Sequence, residues 1–251
     1  MWYAGKRELR GEILRKLRYG SFTTPLSGPW RQYSRGRGRE WCERVVRPKA
    51  ELFEAFGCSE LCLSEVHRVT LREADTACSA VPVRMGGPGD TDLLFSLVRS
   101  LHPRNILETG VAYGWSSLAI LLGLEDLGEG RLVSLDMPYA KMGNEAYVGT
   151  AVPKRLRIRW DLRRLPDAVG LRQLKAEGMS FDFAHYDSDK SYLGRSRSYR
   201  EIWDMLTVGG ILMSDDIADN LGFRDFALRV GRTPWVVRKG TTSGFVGLLR
   251  K

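Results

Sequence analysis

The sequence predicts a doubly wound α/β fold over residues 81–251, on a mostly parallel seven-stranded sheet, with a helical N-terminal extension over residues 1–80. Three observations carry this. After Pro82, short apolar runs alternate with helical stretches, the pattern of a parallel sheet covered on both faces. The first two strand candidates end in acidic residues, Glu108 and Asp136, where strand ends line a crevice. The chain closes on two apolar runs joined by Lys239-Gly-Thr-Thr-Ser-Gly244, a hairpin that makes the last strand antiparallel.

The elements follow in order. Leu9, Ile13 and Leu17 recur four apart within residues 7–19 and predict a short basic amphipathic helix. Residues 20–39, rich in Gly, Ser, Pro and Arg and including Arg35-Gly-Arg-Gly-Arg39, read as a linker or lid. Residues 40–80 are helical in composition but weakly patterned. Asp90 caps a helix running to about Leu101. Strands are expected at 105–108, 131–136, 156–160, 181–186, 210–214, 235–238 and 245–249. Helices are expected at 115–124, near 169–176, through Trp203, and at 223–229.

Composition narrows the class. The chain has 251 residues, 43% of them hydrophobic and 27% charged, which fits a soluble globular protein with one substantial core. The longest apolar stretch, residues 118–124, falls far short of the roughly 18 residues that span a bilayer. The opening lacks the apolar region of a secretory signal, and Glu8 and Glu12 argue against a transit peptide, so a cytoplasmic setting is expected. The four cysteines read as reduced thiols; a zinc site from Cys58, Cys62 and His67 is the weaker alternative. The formal charge of +9 lies entirely in residues 1–50, which hold thirteen basic and four acidic residues. Such a segment suits nucleic acid, an acidic surface or a sister subunit in a homo-oligomer.

Two constellations carry chemistry. The first is Leu107-Glu-Thr-Gly-Val-Ala-Tyr-Gly-Trp-Ser-Ser117. Gly110 and Gly114 are four apart, so the pyrophosphate-binding G-x-G-x-x-G is absent. Glu108 suits a cationic amino group, the glycines clear room for a ligand, and Ser116 and Ser117 at a helix start suit a carboxylate. That pairing is what the amino-acid end of S-adenosylmethionine requires, and Asp136 at the next strand tip suits its ribose hydroxyls. The second is Asp187-Ser-Asp-Lys-Ser-Tyr192 after the fourth strand, with Ser214-Asp215-Asp216 after the fifth. Three carboxylates brought together repel unless a cation neutralises them, and hard oxygen ligands suit Mg²⁺ or Ca²⁺. Asp219 and Asn220 are alternative ligands. His185, in an alternating apolar strand, reads as a packed core residue.

The first constellation resembles class I methyltransferases, whose first motif has the form E/D-x-G-x-x-x-G-x-S. The second resembles the metal-dependent catechol and caffeoyl-CoA O-methyltransferases, and more closely the bacterial natural-product O-methyltransferases that place Asp-Asp or Glu-Asp after the fifth strand. The likeness covers about residues 83–249. It implies that Met85, Glu108, Gly110, Tyr113, Gly114, Ser116, Ser117, Asp136 and Asp187 hold S-adenosylmethionine. It also implies that Asp187, Asp215 and Asp216 bind Mg²⁺, and that Lys190 is the general base toward a small hydroxylated substrate. After the third strand such relatives carry a Gly-Asp/Ser turn at the adenine. Here the stretch is Trp160-Asp-Leu-Arg-Arg-Leu-Pro-Asp167, without the glycine, and Asp161 and Asp167 are the candidates to substitute. An RNA methyltransferase using the basic arm, or a silent cofactor-binding accessory protein, are the competing readings.

Overall fold

The computed structural model describes residues 28–137, 143–240 and 243–251. The basic helix expected over residues 7–19 lies outside the described residues. Among the described residues, four helices fall within the N-terminal 80: α1 (Gly28–Val45), α2 (Lys49–Phe56), α3 (Leu63–Val66) and α4 (Arg68–Ser79). The linker expected over residues 20–39 is therefore helical from Gly28 onward, and that expectation is corrected. The reason is tertiary. Helix α1 lies so close to the turn Ile217–Asp219 that a methyl carbon on Gly38 would sit 2.5 Å from the Ala218 carbonyl oxygen. The packing outweighs the roughly 1 kcal/mol that each interior glycine costs a helix.

The sheet contains β1 (Asn105–Thr109), β2 (Arg131–Leu135), β3 (Trp160–Arg163), β4 (Phe181–Tyr186), β5 (Leu206–Ser214), β6 (Trp235–Arg238) and β7 (Phe245–Arg250). Their order is β3-β2-β1-β4-β5-β7-β6. β7 runs antiparallel to both β5 and β6, and the other pairs are parallel. This is the doubly wound sheet with a closing hairpin that the sequence predicts. The order reverses between β1 and β4, so a crevice opens there at the carboxyl ends of the strands. β3 begins where its expected strand ends, because residues 154–159 form a 3₁₀ turn. Leu156, Ile158, Trp160 and Leu162 alternate continuously, so periodicity alone left the phase open. Only the segment from Trp160 finds β2 as a partner, and Ile158 is 90% exposed.

Side-chain alternation divides the core in two. Ile106, Leu132, Phe183, Ile211 and Leu248 pack with α5 (Thr91–Leu101) and α6 (Trp115–Leu127). Leu107, Val133, Ala184, Leu212 and Leu249 pack with α7 (Asp167–Ala176), α8 (Tyr192–Met205) and α9 (Gly222–Arg229). Full burial of each such side chain contributes roughly 1.5–3 kcal/mol. The N-terminal helices join both layers: Leu52, Phe53 and Phe56 enter the first, Trp41 and Cys42 the second. Cys42, Cys58, Cys62 and Cys78 are free thiols. Cys58 and Cys62 contact Phe56 and Ser64, while His67 pairs with Asp126, so the three do not form a zinc site. Among the described residues no helix is long and apolar enough to cross a membrane.

Candidate active site

The site is built from four strand tips, those of β1, β2, β4 and β5. In register, Glu108 of β1 stands between Ser134 of β2 and His185 of β4. Its fully buried carboxylate accepts from Ser116 Oγ at 2.6 Å, Ser117 Oγ at 2.5 Å and Ser134 Oγ at 2.7 Å. Both serines expected at a ligand carboxylate donate to Glu108 in this structure. Ser116 still reaches the cleft wall; Ser117 is buried beneath it.

The glycines of this loop also serve close backbone packing. Gly110 has φ +85°, and a methyl carbon there would lie 2.2 Å from the Asp187 carbonyl oxygen. Its bareness lets the β1 loop touch the β4 loop, where Asp187 N–H donates to Thr109 O at 2.8 Å. Gly114 precedes helix α6 and lies against Gly149. Tyr113 donates its hydroxyl to Val83 O at 2.6 Å, tying the loop to the segment that precedes α5.

The cleft is lined by Gly86–Asp90 on one side, Gly110–Tyr113 with Trp115 and Ser116 on another, and His185, Asp187, Met213 and Asp215 at its base. Among the cofactor residues named from sequence, Gly110, Tyr113, Ser116 and Asp187 line it. Glu108, Gly114, Ser117 and Asp136 support it from behind, and half-buried Met85 stands outside the lining formed by its neighbours Gly86 and Gly87.

Asp136 is nearly inaccessible. Its Oδ1 accepts from Val111 N–H at 3.0 Å, and Arg164 Nη2 lies 3.4 Å from Oδ2, outside hydrogen-bonding alignment. Burial raises its pKa above the usual carboxylate value; the Val111 amide and Arg164 oppose this without cancelling it. Arg164 also donates to Glu145 O at 3.3 Å. Of the two residues expected to substitute at the adenine turn, Asp161 pairs with Arg163 and Asp167 accepts from Ser188 Oγ.

The second constellation converges as the sequence predicts. Oxygens of Asp187, Asp215 and Asp216 lie within 4.8 Å of one another, a grouping unmatched among the described residues. Two lysines enter it. Lys190 bonds Asp216 and has Nζ 2.9 Å from Asp187 Oδ1. Lys239 Nζ lies 2.5 Å from Asp215 Oδ2 and 3.4 Å from Asp216 Oδ1. Burial lowers the Lys190 pKa, but Asp187 and Asp216 outweigh it and hold the ammonium above the ordinary lysine value. The sequence argument for a general base required the opposite shift. Asp187 is raised by burial and by Asp215, whereas Lys190 and Lys239 bring Asp216 below the usual value despite its burial.

The donor set fits a hard divalent cation. It is all carboxylate oxygen, and buried Asp187 Oδ1 has no aligned hydrogen-bond donor. The alternative ligands do not converge: Asp219 pairs with Arg35, and Asn220 donates to Lys190 O at 2.8 Å while accepting from Gly222 N–H.

Three residues escaped sequence reasoning. Fully buried Arg195 bridges Asp216 O at 2.8 Å and Tyr199 at 3.0 Å, with Lys190 O at 3.4 Å, and so braces both acidic loops. In a run of alternating Ser and Arg it carried no signal. His185 is buried as expected, but it also lines the cleft. Its position on β4, two before the Asp187 that directly follows the strand, is the spacing that puts side chains on one face of an extended chain, a signal that was available. Its Nδ1 lies 3.8 Å from Glu108 Oε1, too far for a hydrogen bond. Burial lowers the His185 pKa, but the carboxylates of Glu108, Asp187 and Asp215 more than offset it. Lys239 was seen only as a hairpin residue.

The fold is the Rossmann-like fold of class I, S-adenosylmethionine-dependent methyltransferases. Residues 107–217 match the family described as "Methyltransferase domain". The chain is 29% identical over 154 residues to caffeoyl-CoA O-methyltransferase of Stellaria longipes, covering 58% of this chain and 60% of that protein. It is 30% identical over 151 residues to tapetum-specific methyltransferase 1 of Arabidopsis thaliana, covering 58% and 61%. It thus spans about three fifths of the length of these curated relatives. Among solved structures, the O-methyltransferase from Bacillus cereus in complex with SAH superposes with TM-score 0.58 at 22% identity, over 75% of this chain and 95% of that one. TomG of Streptomyces achromogenes, an O-methyltransferase involved in tomaymycin synthesis and solved with SAM, gives 0.55 at 19%, over 83% and 98%. Both likenesses are of fold.

Proposed function

We propose that this chain is an O-methyltransferase that uses S-adenosylmethionine and Mg²⁺ to methylate a hydroxyl of a small metabolite, a sugar or aromatic unit of a natural product. The observation that carries the reading is the meeting of two chemistries at one end of the sheet. The Glu108–Gly110–Ser116 loop and the Asp187–Asp215–Asp216 cluster border one cleft. The similarity to a protein named for caffeoyl-CoA O-methylation supports a hydroxylated acceptor. The four free thiols accord with a cytoplasmic setting.

Each residue then has a task. Glu108, held by three serine hydroxyls, sets a buried negative charge beneath the ligand's amino group. The Gly110–Tyr113 backbone borders its amino-acid end, and Asp136 accepts the ribose hydroxyls once Arg164 yields. Met213 and His185 close the base of the cleft against water. Lys190 stands where an acceptor proton could be taken, with its backbone carbonyl fixed by Asn220. When bound at Asp187, Asp215 and Asp216, Mg²⁺ would supply Lewis acidity toward the acceptor hydroxyl and relieve Lys190 of the carboxylates that retain its proton. Alignment of the acceptor oxygen with the sulfonium methyl provides most of the acceleration.

Calorimetric titration with S-adenosylmethionine tests this, with SAH formation followed by mass spectrometry across catechols and hydroxylated sugars. Wild type is expected to bind the cofactor and turn over in Mg²⁺; Asp215→Ala keeps cofactor binding and loses the response to Mg²⁺. A wild type that ignores S-adenosylmethionine ends the reading. RNA as acceptor is the second reading, favoured by Arg44, Arg47, Arg224 and Arg232 around a groove beside Trp41. RNA binding that falls steeply with salt would support it.

A further inference from the structure

Lys239 has no task in the reading above, yet it reaches the heart of the acidic cluster. It follows β6 directly and sits at the base of the closing hairpin, where its N–H donates to Gly244 O at 3.0 Å. Its neighbour Gly240 donates to Asp90 Oδ2 at 3.2 Å, and Lys49 Nζ pairs with the same carboxylate at 2.7 Å. The hairpin base is thereby anchored to the residue that caps α5. From this fixed point the side chain runs inward, only 13% exposed, beneath Gly89, whose added methyl carbon would lie 3.9 Å from Lys239 Cε. Its ammonium contacts Asp215 Oδ2 and Asp216 Oδ1, on two of the three carboxylates that make up the candidate metal cluster.

We propose that Lys239 is a tethered counter-cation that fills the Asp215–Asp216 half of the metal site, so that a divalent cation binds by displacing its ammonium. The inference rests on the metal reading given above. Carboxylate oxygens contact Mg²⁺ at about 2.0–2.1 Å, and an ammonium already seated on those oxygens both blocks the approach and repels the ion. Lys190 differs, because it holds the opposite side, on Asp187 and Asp216. Three carboxylates with two lysines leave one net negative charge, so the cluster attracts a cation while resisting its entry. Lys239 thus sets metal affinity without being a ligand. It is a positioning residue, and its removal should tighten metal binding where loss of an ordinary support would weaken it.

The test is calorimetric titration of the full chain with MnCl₂ at fixed pH and ionic strength, on wild type, Lys239→Met and Lys239→Arg. Lys239→Met is expected to bind Mn²⁺ about tenfold or more tightly than wild type, whereas Lys239→Arg, which keeps the charge, binds as weakly as wild type. Thermal melting supplies a second readout. Without metal Lys239→Met melts below wild type, and Mn²⁺ raises its melting temperature more than it raises that of wild type. If Lys239→Met is too unstable to purify, Lys239→Gln takes its place in both measurements. Equal or weaker Mn²⁺ binding by the neutral variant overturns the displacement proposal alone. Failure of every variant, wild type included, to bind Mn²⁺ overturns the metal reading and the proposal with it.

Discussion

Gly110 and Asp136 show how far single residues could be read. Position in the sequence suggests a cofactor role for both; in the structure Gly110 lines the cleft and Asp136 lies behind it. Their physical roles emerged only with their neighbours in space. Gly110 spares a collision with the Asp187 carbonyl, a partner 77 positions away in sequence. Gly110→Ala is therefore expected to cost about 3 kcal/mol or more, through positive φ and backbone overlap, as read by urea unfolding. A cost under about 1 kcal/mol would show that the two loops separate easily. Asp136 carries a linked pH effect. Its folded pKa is raised, so its contribution to stability is complete below the unfolded value of about 3.9 and is lost as pH rises through the folded value. Asp136→Asn, which keeps the acceptor for Val111, should gain on wild type in unfolding free energy between about pH 4 and neutrality, while losing cofactor affinity. A stability difference that stays flat with pH contradicts the assignment. Lys239 and Arg195 were illegible at this scale, because charged residues in a hairpin and on a polar helix look solvated until a fold folds them inward.

At the scale of elements, strands with clear bounds were readable and glycine-rich or continuously alternating segments were not. β4 matches its expected residues because Phe181 and Tyr186 are flanked by polar turns on both sides. β3 slid by nearly its whole length, meeting its expected strand only at Trp160, because the alternation runs on from Leu156 to Leu162. Helix α1 was concealed by Arg35-Gly-Arg-Gly-Arg39, whose local preference is for a loop. Its helicity depends on docking against the turn Ile217–Asp219, directly after the Asp215–Asp216 pair. Gly38→Val should consequently lower stability by about 1–3 kcal/mol through overlap with Ala218, and should weaken Mn²⁺ binding as the acidic loop shifts. Gly36, with nothing within 4 Å of an added carbon, is the matched control, where Ala should be neutral or slightly stabilising. Equal effects at both positions would refute the docking argument.

For the whole molecule, the mostly parallel sheet and its antiparallel closure were legible because alternation of period and the final hairpin admit few topologies. The relation of residues 1–80 to the sheet was not, since their weak patterning gave no face to orient. The structure shows Leu52, Phe53, Phe56, Trp41 and Cys42 entering the two layers that flank the sheet. A single unfolding transition is therefore expected, with coincident curves from far-ultraviolet circular dichroism and tryptophan fluorescence. Two separated transitions would mean that the N-terminal helices form an independent unit.

The lysines that penetrate the acidic cluster bear on how the protein can be handled. Because Lys190 and Lys239 balance most of the negative charge, the acidic cluster carries its own ballast, and the fold is expected to stand without a bound ion. A preparation stripped with EDTA should melt at the temperature of an untreated one in metal-free buffer. Chelated protein then serves as a true zero point for any metal titration rather than as a damaged sample.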